Sequence, residues 1–102
     1  MLKVGIIGVG TVGASVANIL RDNKNIITAR AGIEIVPTIG VVSNLHKTRN
    51  VDIKLSDNID DVLNDDSIDV VVELMGGIDK PNEIVRKALL KGKAVVTANK
   101  AL

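Results

Sequence analysis

Apolar residues recur along this chain in two rhythms. From Leu2 to Ile7 they run almost unbroken, as a strand buried on both faces of a sheet requires. After the turn Gly8-Val9-Gly10-Thr11-Val12-Gly13 the spacing widens. Val12, Val16, Ile19, Leu20, Ile26 and Ile27 share one face of a helix, and Arg21, Asp22, Lys24 and Asn25 lie off it. The pattern predicts a helix running to Ala31, with Gly32 as its C-terminal cap. Residues 33 to 42 hold the second strand; Pro37 disturbs its early part, so Thr38 to Val42 is the regular portion. Ser43 to Asp52 is polar and reads as a loop, and Ile53 to Leu55 as a short third strand at the sheet edge. Asn58 is placed to cap a short helix, with Asp60 and Asp61 in its first turn and Ile59, Val62 and Leu63 facing inward. Ile68 to Leu74 forms the fourth strand. A further helix starts at Pro81, turns Ile84, Val85, Ala88 and Leu89 inward, and stops at Gly92. Lys93 to Thr97 is the fifth strand.

Strands alternating with helices predict a parallel sheet with right-handed crossovers. The fold class is therefore α/β, a Rossmann-type doubly wound sheet in the order 3-2-1-4-5 that ends after its fifth strand. Residues 1–102 read as one dinucleotide-binding domain with no linker or repeat. The ligand of such a sheet lies across the C-terminal strand ends, between strands 1 and 4.

Composition narrows the field. Hydrophobic residues make up 46% of the chain, yet it has no Phe, Tyr or Trp, so the core is built from Val, Ile, Leu and Ala. Without aromatic rings, base-stacking recognition of single-stranded nucleic acid is disfavoured, and a net charge of +1 is too small for a nonspecific polyanion binder. No Cys is present, which rules out disulfides and thiolate metal sites and fits a reducing cytoplasm. No apolar stretch approaches the roughly 20 residues a bilayer span needs. The opening residues superficially resemble a secretory leader, but Gly5, Gly8, Gly10 and Gly13 interrupt it.

Four segments carry candidate chemistry. In the glycine turn, Gly8 allows the tight bend, Gly10 lets backbone approach a diphosphate, and Gly13 lets helix and strand pack closely. The N–H groups near Thr11 and Val12 then face the anion, helped by the helix dipole. After the second strand, Val42-Ser43-Asn44-Leu45-His46-Lys47 offers no carboxylate to repel a 2′-phosphate, and Lys47 and Arg49 lie within loop reach. That favours NADP, with NAD as the alternative. Arg49 reads as a solvated charge and His46 as a surface residue. Met75-Gly76-Gly77 follows the fourth strand, where glycines admit a nicotinamide ribose. Thr97-Ala98-Asn99-Lys100 stands on the same rim, and a lysine there can reach a carbonyl oxygen. The acidic run from Asp57 to Asp69 reads as helix capping and a solvated face rather than a metal site. Glu73, in an apolar strand near the ligand end, needs a partner; it reads as structural or hydrogen-bonded to backbone, with support of the site from behind as the alternative.

The segments Asp69–Ile78 (DVVVELMGGI), Ala88–Lys93 (ALLKGK) and Ala94–Leu102 (AVVTANKAL), with Gly5–Gly13 (GIIGVGTVG), resemble homoserine dehydrogenase along nearly the whole chain. The resemblance implies an enzyme that interconverts aspartate 4-semialdehyde and homoserine with NAD(P)H, in threonine, isoleucine and methionine biosynthesis. It implies that Lys100 stands beside the nicotinamide and takes part in proton transfer. Family members often carry a basic residue where Ser43 stands. The family's dimerisation region and substrate domain find no room before Leu102, which implies an N-terminal, cytoplasmic, cofactor-binding portion, inactive by itself. Its fifth strand would then be an exposed edge prone to self-association. Two other readings fit the fold: a stand-alone NAD(P)-sensing module, and the first domain of another NAD(P)-dependent reductase.

Overall fold

A computed structural model describes residues 1–9, 11–43, 53–75 and 79–97, with 11–14 and 79–81 described as backbone only. Five parallel strands form one sheet: β1 (Leu2–Ile7), β2 (Ile35–Val41), β3 (Lys54–Ser56), β4 (Val70–Glu73) and β5 (Ala94–Thr97). Their order is β3-β2-β1-β4-β5, as expected of a Rossmann-type sheet. Among the described residues four helices connect them: α1 (Thr11–Asp22), α2 (Lys24–Ala31), α3 (Asp60–Leu63) and α4 (Asp79–Leu90).

The apolar run of β1 becomes the middle of two core layers. Val4 and Ile6 pack with Val9, Ala17 and Val42 on the α1 side. Ile7 packs with Ile39, Val41, Val62, Leu63, Val71, Ile84 and Ala88 on the side of α3 and α4. A side chain at Gly5 would meet Val62 Cγ1 at 2.7 Å, so glycine is what lets α3 lie this close to the central strand.

β2 begins at Ile35 and is paired through Pro37, and its irregularity falls at Thr38, which the sequence placed in the regular portion. Val4 pairs with Pro37 and Gly5 with Ile39, which leaves Thr38 as an extra residue. Its hydroxyl donates to the Val4 carbonyl at 3.3 Å. β3 pairs with β2 only from Ile39 onward, so the missing N–H of Pro37 faces no described neighbour on that side. The N-cap position of α3 is Ile59 rather than the expected Asn58, which stands one residue earlier and accepts the Asp60 N–H on its Oδ1 at 3.0 Å.

Three further sequence expectations are corrected. The predicted single helix from the glycine turn to Ala31 is two helices. At Asn23 (φ −110°, ψ 23°) the side-chain amide donates to the Ile19 carbonyl, the same acceptor its own N–H uses, and the helix breaks. Within α1 Ala17 is buried and Ile19 is exposed, and beyond the break Ile26 is exposed as well. Gly32 does cap α2, in the left-handed region at φ 73°. In α4 the stripe is narrower than expected: Ile84 and Ala88 are buried, whereas Leu89 is 57% exposed. That helix also begins at Asp79, which puts Pro81 third rather than first, still within the turn where no N–H needs an intrahelical partner.

Candidate nicotinamide-nucleotide site

Parallel pairing brings all the strand ends to one rim. Ser56, Val41, Ile7, Glu73 and Thr97 form successive partners in one rung across the whole sheet. Gly8, Ser43 and Met75 follow that rung by one or two residues, and Thr97 ends β5. The centre of the rim lies between β1 and β4, where the strand order reverses.

At that point β1 runs into Gly8, whose φ is 96°. The Gly8 and Val9 N–H groups both donate to the Val41 carbonyl, at 2.9 and 3.2 Å, which folds the chain back over the end of β2. A Cβ on Gly8 would stand 3.1 Å from the Leu74 carbonyl carbon and from the Met75 nitrogen. Glycine is therefore required twice here, for its backbone conformation and for contact with the segment leaving β4. Sequence reading found the first reason and missed the second, which only the pairing of β1 with β4 creates. The turn delivers the chain to Thr11, where α1 begins. The first N–H groups of a helix lack intrahelical acceptors and carry the positive end of its dipole. Thr11, Val12 and Gly13 occupy that first turn. The glycine with left-handed backbone, the helix start and the open switch point fit a diphosphate.

Ser43 lies just past β2 and is exposed. Thr97 is exposed too, but its hydroxyl turns to Glu73 Oε2 at 2.7 Å. Glu73 is fully buried, and its other oxygen accepts the Met75 N–H at 2.5 Å. The carboxyl group thus has the partners that burial demands. Gly10, Lys47, Gly76, Gly77, Asn99 and Lys100 lie outside the described residues.

The acidic run resolves into local structure. Asp61 accepts the Ser56 hydroxyl. Asp69 accepts the Lys3 N–H at 2.9 Å. Asp65 accepts both the hydroxyl and the N–H of Ser67, at 2.6 and 2.9 Å. Those two bonds, the hydroxyl first, hold its carboxyl below the usual carboxylate range. Among the described residues no group of three or more His, Asp or Glu converges as a metal would need. No described helix is long and apolar enough to cross a membrane. A cavity of about 230 Å³ lined by Ala17, Leu20, Arg21, Ile35 and Pro37 sits at the opposite end of β2 from the rim.

Comparison with known proteins converges on one family. The family model for the homoserine dehydrogenase NAD-binding domain matches residues 8–102. A homoserine dehydrogenase of Helicobacter pylori is 43% identical over 101 residues, 99% of this chain and 24% of that protein. The solved homoserine dehydrogenase from Thiobacillus denitrificans superposes with a TM-score of 0.92 at 44% identity, over 97% of this chain and 23% of that one. The enzyme from S. aureus gives 0.90 at 36% identity, over 99% of this chain and 27% of that one. The chain spans about a quarter of the length of the relatives it matches. With its strand order, its left-handed glycine and its helix start at the switch point, the chain belongs to the homoserine dehydrogenase family, as the nicotinamide-nucleotide-binding domain.

Proposed function

We propose that this chain is the coenzyme-holding domain of an enzyme that reduces L-aspartate 4-semialdehyde to L-homoserine with NAD(P)H, in the cytoplasmic synthesis of threonine, methionine and isoleucine. The observation that carries the reading is the left-handed Gly8 at the reversal of strand order, followed at once by the start of α1. In this assignment Gly8 turns the chain, and backbone N–H groups of Gly10, Thr11 and Val12 hold the diphosphate. Gly13 lets α1 settle against the sheet. Gly76 and Gly77 admit the nicotinamide ribose, and Thr97 and Asn99 border the ring. Lys100 holds the proton that the aldehyde oxygen receives. The bound coenzyme supplies the hydride. The groups that hold the aldehyde belong to a substrate domain outside the present sequence.

Ser43 and Lys47 set the choice of coenzyme. Residues 43 to 47 contain no carboxylate, and Lys47 is a cation within loop reach of a ribose 2′-phosphate. NADP is therefore the preferred partner and NAD the weaker one. Fluorescence titration with NADPH and NADH tests the assignment: both bind, NADPH more tightly, and the chain alone does not oxidise NADPH when aspartate semialdehyde is added. Failure of both nucleotides to bind overturns the coenzyme reading. Tighter binding of NADH overturns the NADP preference, and steady-state turnover by this chain overturns the division of labour.

A further inference from the structure

Among the described residues Glu73 is the one buried carboxyl group, and no step above uses it. Its position calls for an apolar residue. Val71, two residues back on the same face, is fully buried in the core. A valine or isoleucine at 73 would continue that face without the cost of taking a carboxyl out of water. What the carboxyl adds is two bonds in two directions. Oε1 takes the N–H of Met75, the second residue past β4, and Oε2 takes the hydroxyl of Thr97, the last residue of β5. The Met75 nitrogen is also one of the atoms that the missing side chain of Gly8 makes room for, at 3.1 Å. One carboxyl therefore fixes the exits of β4 and β5 relative to each other, and the exit of β1 packs on the peptide it holds.

Resting on the coenzyme reading above, we propose that Glu73 is a positioning residue for the nicotinamide end of the coenzyme. It fixes Met75 and Thr97 at the C-terminal ends of β4 and β5, the margin of the switch point. It does so from beneath the rim, without touching the nucleotide. The adenosine half, served by the α1 start and the end of β2, is independent of it.

The test uses two probes, NADPH and 2′-phospho-ADP-ribose, which lacks the nicotinamide. In Glu73→Met the bridge is gone at similar volume. NADPH affinity falls about tenfold, the scale of one lost hydrogen bond to a buried group, and 2′-phospho-ADP-ribose affinity stays within about twofold. In Glu73→Gln the amide still accepts from Met75 and now donates to the Thr97 oxygen, so NADPH binding is kept within about threefold. Should Glu73→Met fail to fold, Glu73→Asp, whose arm is one methylene too short for one carboxyl to reach both Met75 and Thr97, reads the same bridge, with NADPH binding reduced and 2′-phospho-ADP-ribose binding kept. Equal losses for the two probes make Glu73 a purely structural residue and overturn the proposal, as does undiminished NADPH binding in Glu73→Met. If the unmodified chain binds neither probe, the coenzyme reading itself falls.

Discussion

Side chains near the rim work by what they leave out as much as by what they contribute. Gly8 is the sharpest case. At φ 96° an alanine carries about 1–2 kcal/mol of left-handed strain, before its Cβ presses on the Leu74–Met75 backbone at 3.1 Å. Gly8→Ala is expected to lower stability by about 2 kcal/mol or more in urea unfolding and to weaken NADPH binding with it. An unchanged unfolding midpoint would show that the turn can relax around a side chain. Residue-scale chemistry was partly legible in the sequence. The glycine turn announces itself because diphosphate recognition and a tight bend both need bare backbone at fixed spacing. Glu73 stood out as a carboxyl in an apolar run, but the identity of its partners was not readable. Thr97 is distant along the chain and becomes a neighbour only through the pairing of β4 with β5.

Elements were legible where one periodicity dominates. Parallel pairing followed from alternation and strand order from the Rossmann-type glycine turn, and β1, β4 and β5 lie within the predicted runs. Helix interiors were less readable, because a side chain can compete with the backbone. Asn23 broke what looked like one helix, and α2 then had no described residue buried. Lys93 shows the same limit. Read as the first residue of the fifth strand, it instead precedes β5 and buries its amine, donating to the Asp65 and Ile68 carbonyls at 2.6 and 2.9 Å. That amine ties β5 to the segment entering β4. Lys93→Met keeps the stem but leaves both carbonyls without it. The expected loss is about 1 kcal/mol, less than two free carbonyls imply, because the ammonium's own desolvation cost disappears too. A shift in the urea midpoint measures it, and a gain in stability would mean that desolvation outweighs the two bonds.

The whole molecule is compact, with a radius of gyration of 12.9 Å, close to the roughly 13 Å expected of a folded chain of about 100 residues. Its sheet nevertheless ends on β5, an edge strand among the described residues, whose Val96 is 56% exposed and whose sequence holds no proline or charge to blunt pairing. Self-association that grows with concentration is expected in sedimentation experiments, and Val96→Lys should reduce it. A constant monomer mass up to high concentration would argue that the edge is protected. Edge strands are also the ones that slide. Here Thr97 is bolted to Glu73 at one end of the strand, and Lys93 is bolted to Asp65 and Ile68 at the other. A two-residue slip of β5 along β4 would unfasten both bolts at once, so the margin of the sheet is locked in a single alignment.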